Sequence, residues 1–172
     1  MMNKNIVIIC SFVLIGFIVF GFITSSMNSV NQSIEDINKE IVDGDENYNK
    51  AVIDLNNMEY DSAASELTDA AYSFQRARDI LDSLSHDDFR LNNQLYSTYL
   101  NLTSQELEYK QNASTLLLNA TISLKGGYVS NGNNYIYEAG YAMSEALNYQ
   151  YQRANLVETN PEKFETITNA VG

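Results

Sequence analysis

The chain has 172 residues, and its 22 acidic and 10 basic side chains give a net charge of −12. Such an acidic protein is poorly suited to neutralising phosphates, so we expect no nucleic-acid partner. The single Cys excludes an internal disulfide framework and a multi-thiolate metal site. One Pro and eight Gly argue against a sandwich of many short strands.

The first predicted element is an uncharged segment, residues 6–23, which reads IVIICSFVLIGFIVFGFI. As a helix it would extend roughly 27 Å, close to the thickness of the hydrocarbon core of a bilayer. We therefore predict a transmembrane helix over residues 6–24 that is retained as a signal-anchor. Two alternatives are a cleaved signal peptide, because Thr24-Ser25-Ser26 supplies small residues, and a buried core helix.

The charges on either side of this segment predict its orientation. Lys4 precedes it, whereas Glu35 and Asp36 are among the first charges after it. The positive-inside rule then places residues 1–5 in the cytoplasm and residues 25–172 outside, with the protein crossing the cell membrane once. Without Lys4, nine basic residues face 22 acidic ones, so the outer domain carries a net charge of −13.

Apolar residues in the outer domain recur at intervals of three and four, which is the period of a helix. We predict an all-α fold in which the N-terminal transmembrane helix continues into an antiparallel bundle of four long helices plus a short C-terminal helix. The predicted helices cover about 6–56, 59–84, 88–124, 134–158 and 161–170. They form two hairpins, about 28–84 and 88–158, and residues 125–134 are predicted to be a loop. A kink or a break is expected at Gly44, because glycine weakens the first helix.

The same spacing predicts which residues face the core. In the first two helices these include Ile37, Ile41, Tyr48, Ala51, Leu55, Ala63, Leu67, Ala70, Phe74, Ala77 and Leu81. In the third helix they are Leu95, Tyr99, Leu102, Tyr109, Ala113, Leu116, Ala120 and Leu124. The fourth helix is expected to use Ala139, Ala142, Ala146, Tyr149 and Leu156. Glu106 also lies on the inner stripe of the third helix.

Two features indicate repetition. Residues 60–89 align without gaps on residues 135–164 with seven identities, which suggests that the chain contains two related hairpins. In addition, the stretch from Ala51 to Ala70 has a small residue, a short turn, an aromatic residue and an Ala three positions later. This order, carried by Ala51, Tyr60, Ala63, Leu67 and Ala70, resembles the centre of a tetratricopeptide hairpin. The resemblance implies a helical scaffold that binds peptides or proteins.

Tyrosine is the residue type that most suggests a binding surface. The chain has 12 Tyr, and six of them lie between residues 128 and 151. Tyr137, Tyr141 and Tyr151 fall off the predicted core stripe of the fourth helix. Because a tyrosine combines a large apolar ring with a polar tip, we expect these three to form a candidate ligand or partner surface. The alternative is that they pack within the bundle with their hydroxyl groups in solvent.

Four Asn-x-Ser/Thr sequons, at Asn31, Asn101, Asn112 and Asn119, are candidate glycosylation sites in an exported domain. The last three lie within about 20° of each other around one helix. With 21 Asn in the chain, composition alone predicts roughly three sequons, so four is no enrichment.

No pattern points to catalysis or a cofactor. His86-Asp87-Asp88 places the only His in a predicted turn, and Asp43-Gly44-Asp45-Glu46 resembles a fragment of a calcium loop without its remaining ligands. Nucleophilic triads and phosphate-binding loops are absent from the sequence. We expect no enzyme activity, no cofactor and no metal. The predicted function is a membrane-anchored module for binding a protein partner or for self-association. The alternative is a small-ligand-binding ectodomain of the sensor type that lacks its own signalling output.

Overall fold

The computed structural model describes residues 29–85 and 94–164. Over these ranges the chain is helical with short connections and contains no strand, so the all-α prediction is confirmed. None of the helices in these two ranges combines the length and apolar character needed to cross a bilayer. The predicted transmembrane segment, residues 6–24, lies outside the described residues, and so does His86-Asp87-Asp88.

Four long helices make up the described structure. They are α1 (Ser29–Asn56), α2 (Tyr60–Ser85), α3 (Gln94–Lys125) and α4 (Val129–Glu158). After Asn160-Pro161 the chain is again helical from residue 161 to residue 164. A Pro at the first helical position is the expected start of a helix, because that position needs no backbone N–H.

The connection between α3 and α4 is much shorter than predicted. The sequence suggested a loop over residues 125–134, but α4 begins at Val129. Only Gly126, Gly127 and Tyr128 separate the two helices. The prediction was wrong because the Asn, Ser and Gly residues that favour turns here form the first turns of a helix that packs against α3.

Both hairpins turn in the same way. In the first, Met58 N–H donates to Leu55 O and Glu59 N–H donates to Asp54 O. In the second, Gly127 N–H donates to Leu124 O and Tyr128 N–H donates to Ser123 O. This pair of bonds is the Schellman motif, which needs a residue in the left-handed region at the turn. Met58 (φ 64°) and Gly127 (φ 81°) are those residues. They lie 69 positions apart.

The offset of 69 holds along the hairpins and replaces the offset of 75 suggested by the sequence alignment. The first backbone bond of each second helix is equivalent, since Ala63 N–H donates to Glu59 O and Gly132 N–H donates to Tyr128 O. Core residues follow the same numbering. Pairs at this spacing, all buried, are Ala51/Ala120, Leu55/Leu124, Leu67/Ile136, Ala70/Ala139, Phe74/Met143 and Ala77/Ala146. The chain therefore contains two structurally equivalent hairpins, which sequence identities alone had aligned six residues out of register.

The helices pack in chain order: α1 against α2, α2 against α3, and α3 against α4. Direct contact between α1 and α3 is sparse, and α1 and α4 are not among the packed pairs of the described helices. The all-α bundle is thus an ordered row of helices, with hairpins joined by the α2–α3 interface. Each helix has its main contacts with its neighbours in sequence, as in arrays of helical repeats.

The core agrees with the predicted stripes on α1, α2 and the first half of α4 and differs on α3. On α3 the buried residues are Tyr96, Leu100, Thr103, Glu106, Leu107, Lys110, Ala113, Ser114, Leu117, Ala120, Thr121 and Leu124. Five of the predicted residues lie one position away from residues in this list: Leu95, Tyr99, Leu102, Tyr109 and Leu116. The difference arises because α3 packs between α2 and α4, which buries two of its sides rather than one stripe.

The helix α1 continues through Gly44 without a break. A Cβ atom at this position would lie 2.5 Å from Cε1 of Phe74. The glycine allows α1 and α2 to approach closely. The fully buried ring of Phe74 occupies the space that a side chain at this position would need.

Candidate interaction surface

Charge is unevenly distributed between the two hairpins. Residues 29–85 contain 13 acidic and four basic side chains, a net charge of −9. Residues 94–164 contain six acidic and four basic side chains, a net charge of −2. Nine of the 12 tyrosines lie in this second, nearly neutral range. The two hairpins share a fold but present surfaces of different chemistry.

The structure places all three predicted surface tyrosines in solvent. The exposed fractions are 77% for Tyr137, 64% for Tyr141 and 73% for Tyr151. At 100° per residue the three positions fall within about 80° of one another around α4. We call these three residues the tyrosine face. They are presented together along about four turns of one helix.

The tyrosine face carries few charges. The other exposed residues of α4 between residues 130 and 155 are Ser130, Asn131, Asn134, Glu138, Ser144, Asn148, Gln152 and Asn155. Tyr, Ser and Asn are the residues that antibody combining sites use, because rigid rings supply contact area and small polar groups supply hydrogen bonds. In a protein with a net charge of −12, α4 is therefore the helix whose exposed side is best suited to contact another macromolecule.

A second group of tyrosines lies beside Tyr141 at the seam between α3 and α4. The rings of Tyr109 and Tyr149 stack with their centroids 5.7 Å apart and their planes at 20°. Both are half-buried. Partial burial, followed by the nearby Tyr149 and Glu145, raises the pKa of the Tyr109 hydroxyl, and Tyr141 adds to this effect. We call Tyr109, Tyr141, Tyr149 and Glu145 the tyrosine–glutamate cluster.

Beneath this surface a buried ion network joins three helices. It consists of Asp45 on α1, Glu106 and Lys110 on α3, and Arg153 on α4, none of which is more than 6% exposed. Lys110 Nζ lies 2.7 Å from Asp45 Oδ2 and 3.1 Å from Glu106 Oε1. Arg153 Nε donates to Glu106 Oε2 at 2.9 Å. Two positive and two negative charges balance, so the network is neutral as a whole.

The network also has aromatic neighbours. Arg153 donates from Nη1 to the hydroxyl of Tyr99 at 3.2 Å. The ring of Tyr99 in turn contacts the ring of Phe164 edge to face, with centroids 5.6 Å apart. Lys110 Nζ lies 5.7 Å from the centre of the Phe74 ring. The same ring fills the space above Gly44, so the network is packed against the contact between α1 and α2.

Burial and ion pairing act in opposite directions on the carboxyl groups of the network. Burial would raise the pKa of Glu106, but Arg153 and Lys110 outweigh it and hold the pKa below its ordinary value. For Asp45, burial is the larger effect, and its pKa is raised despite Lys110. Glu106, which contacts both cations, is therefore the central charge of the network, and its loss would leave two buried cations with one carboxylate.

The network gives α4 a fixed position. Arg153 lies on the inner side of α4, two residues after Tyr151 on its outer side. A charge-assisted bond between fully buried groups is directional, so the Arg153–Glu106 pair favours one rotation of α4 relative to α3. The tyrosine face is consequently carried by a helix whose orientation is set by the core.

The remaining predicted sites are not brought together in this way. Asn101 and Asn112 are exposed on α3, and Asn119 is half-buried. Asn31 falls within α1, where its side chain is not described. Within residues 29–85 and 94–164 no group of three or more His, Cys, Asp or Glu side chains is arranged to hold a metal ion. Asp45, part of the calcium-like fragment, is instead paired with Lys110.

Sequence reasoning missed the tyrosine–glutamate cluster and most of the ion network. Tyr109 and Tyr149 were assigned to the core because their spacing fits the inner stripes, and half-burial at a helix seam gives the same periodicity as full burial. The spacing of the third helix does predict that the Glu106 carboxylate lies on an inner stripe. The burial of its partners Lys110 and Arg153 could not be predicted from the sequence, because Lys and Arg side chains are ordinarily exposed.

Comparisons of the chain with protein family models, with curated proteins and with solved structures found no match.

Proposed function

We propose that this protein is a membrane-anchored interaction module that binds a protein partner through the tyrosine face of α4. The observation that carries the proposal is the exposure of Tyr137, Tyr141 and Tyr151 on one side of a single helix. Aromatic residues, tyrosine in particular, are enriched where proteins bind one another and contribute much of the binding energy. The negative charge of the first hairpin would repel nucleic acids and anionic lipids.

The membrane anchor is a proposal that comes from the sequence. The uncharged segment 6–24 is long enough to cross a bilayer as a helix and precedes α1 directly. With Lys4 on the cytoplasmic side, the two hairpins would lie outside the cell membrane. Protease treatment of intact cells that express the full chain with a C-terminal tag tests this topology, because only an outward-facing tag is removed.

The exposed rings favour a macromolecular partner over the alternative of a small-ligand sensor. A small molecule is bound best where a pocket encloses most of its surface. The rings of the tyrosine face are instead 64–77% exposed and spread along about 21 Å of helix between Tyr137 and Tyr151. The resemblance of the first hairpin to tetratricopeptide repeats, a family of protein-binding scaffolds, supports the same choice.

Site-specific photo-crosslinking in the producing cells tests the proposed function. A photoreactive phenylalanine analogue replaces Tyr141 in the full chain, and adducts are identified by mass spectrometry. The matched control places the same analogue at Tyr72, which is 63% exposed on the acidic first hairpin. We expect a discrete adduct with one protein from position 141 and none from position 72. The same pattern from both positions, or no adduct from either, would contradict the proposal.

A further inference from the structure

Tyr141 is flanked by carboxylates on its own helix. Glu138 precedes it by three residues and Glu145 follows it by four, so both are its neighbours on the surface of α4. Glu138 is exposed and Glu145 is half-buried. The stacked rings of Tyr109 and Tyr149 lie on the far side of Glu145 and complete an aromatic surface around it. Aromatic faces and carboxylates together form an environment that attracts a cation.

The protein already contains an arginine that contacts both a tyrosine ring and a carboxylate. The guanidinium carbon of Arg76 lies 5.0 Å from the centre of the Tyr72 ring. One of its nitrogens also lies 2.5 Å from Glu40 Oε2. Tyr72 is about as exposed as Tyr141, at 63% against 64%. An exposed tyrosine with an adjacent glutamate therefore binds a guanidinium on the surface of this same fold.

Three of the four basic residues in the described range 94–164 are engaged elsewhere. Lys110 and Arg153 belong to the buried ion network, and Lys125 forms an ion pair with Asp61 of α2. Tyr141, Glu138 and Glu145 thus form the acidic aromatic half of such a site, and these three cations do not complete it. A cation from another molecule has the complementary charge.

A second copy of this chain is the less suitable occupant. Each copy carries a net charge of −12, and two copies docked through α4 would bring their own Glu138 and Glu145 side chains toward one another. Like charges at a desolvated contact cost free energy. A positively charged partner is instead attracted by the whole molecule and gains at the contact.

We propose that the partner segment bound by the tyrosine face is rich in Lys or Arg, with one cationic side chain seated over Tyr141 between Glu138 and Glu145. This inference rests on the proposed function and names the chemistry of the partner. The seated cation uses the ring of Tyr141 and the two carboxylates, while Tyr137 and Tyr151 contact the rest of the segment. Arg suits the site better than Lys, because its planar guanidinium stacks on a ring and bonds a carboxylate at the same time.

The test measures the binding of a labelled 12-residue peptide of Arg, Gly and Ser to the full chain in neutral detergent by fluorescence anisotropy. A second peptide has each Arg replaced by citrulline, which keeps the shape and removes the charge. Tyr141→Leu keeps the apolar area and the protein charge but removes the tyrosine ring. We expect this variant to bind the Arg peptide about two- to fivefold more weakly than wild type. Glu138→Gln with Glu145→Gln should weaken binding further, with the largest effect at low salt.

Tyr128→Leu is the matched control, because Tyr128 is 68% exposed at the turn before α4 and lies outside the cluster. It should bind the Arg peptide as wild type does. Equal affinity of wild type and Tyr141→Leu, or equal affinity for the Arg and citrulline peptides, would overturn the inference. A crosslinked partner whose contacting segment is neutral or acidic would also overturn it and leave the proposed function standing. Failure to crosslink any partner would instead remove the proposed function, whatever the peptide result.

Discussion

Glu106 occupies in the second hairpin the position that Ile37 occupies in the first. The offset of 69 residues that aligns the two turns also relates Lys110 to Ile41 and Arg153 to Leu84. All six side chains are buried. The same three positions therefore hold apolar side chains in the first hairpin and, in the second, the ionised side chains that form a balanced network with Asp45. The contribution of the network can thus be measured by replacing its residues with those of the equivalent positions.

Replacing the four residues of the network by the uncharged residues at the equivalent positions of the other hairpin should leave the protein at least as stable as wild type. The variant carries Glu106→Ile, Lys110→Ile and Arg153→Leu, with Asp45→Ser because Ser114 is the equivalent of Asp45. Buried ion pairs are often replaced by well-packed apolar residues with no loss or with a gain of about 1–4 kcal/mol, since the cost of dehydrating the charges disappears. Urea unfolding followed by circular dichroism gives the comparison. A loss of several kcal/mol would show that the network stabilises the fold in its own right.

Removing only Glu106 should have the opposite effect. In Glu106→Gln the buried Lys110 and Arg153 face Asp45 alone, so one positive charge is uncompensated. Breaking a buried pair from one side typically costs about 3–5 kcal/mol. Glu108→Gln is the matched control, because Glu108 lies two residues away on the same helix and is exposed. Its free energy of unfolding should differ from wild type by less than about 0.5 kcal/mol. Equal effects of the two substitutions would contradict the assigned role of Glu106.

The pH dependence of stability should identify the ionised state of Glu106. Its folded pKa lies below the ordinary value of 4.5, so its contribution is present above pH 4.5 and is lost as the pH falls through the folded pKa. Wild type should therefore lose stability below pH 4.5 more steeply than Glu106→Gln, which has no group to protonate at this position. Urea unfolding of both proteins between pH 7 and pH 3 measures the two slopes. Parallel curves would mean that Glu106 is not held ionised by its neighbours.

We expect Gly44→Ala to destabilise the protein, although alanine has the higher helix propensity. Exchange of Gly for Ala in an exposed helix gains about 1 kcal/mol, but a Cβ here would lie 2.5 Å from the buried ring of Phe74. Relief of this contact requires α1 and α2 to separate, and overpacking of this kind costs about 1–3 kcal/mol. We expect Gly44→Ala to lower the melting temperature. Ser144→Ala, on the exposed side of α4, should leave it within about 2 °C of wild type. A more stable Gly44→Ala protein would show that the two helices can readily move apart.

The sequence predicted the helices of this protein better than their relationships. Amphipathic spacing correctly placed the core residues of α1 and α2. It failed on much of α3, where burial on two sides places the buried residues one position away from five of the predicted ones. Tyr137, Tyr141 and Tyr151 could be found because a large residue off the core stripe must face solvent. The stacking of Tyr109 on Tyr149 could not, since it depends on how two helices meet.

The repeat shows the same limit. Identities between short Ala- and Tyr-rich helices selected an offset of 75, whereas the hydrogen bonds of the turns require 69. The turn itself left little trace in the sequence, because Met58 and Gly127 satisfy one backbone requirement with different side chains. Glu106 and Ile37 likewise share a position without sharing any chemistry. Two equivalent hairpins can therefore be recognised from their backbone hydrogen bonds even where their side chains differ.

The turns provide a last, paired prediction. Met58 adopts φ 64° at the position where the other hairpin has Gly127. A side chain in the left-handed region costs about 1–2 kcal/mol, and Met58 is 64% exposed, so little packing is lost with it. We expect Met58→Gly to raise the free energy of unfolding by about 1 kcal/mol, because the gain in backbone freedom of the unfolded chain offsets part of the relief. Gly127→Ala should lower it by a similar amount. Urea unfolding measures both, and changes of the same sign in the two variants would contradict the equivalence of the turns.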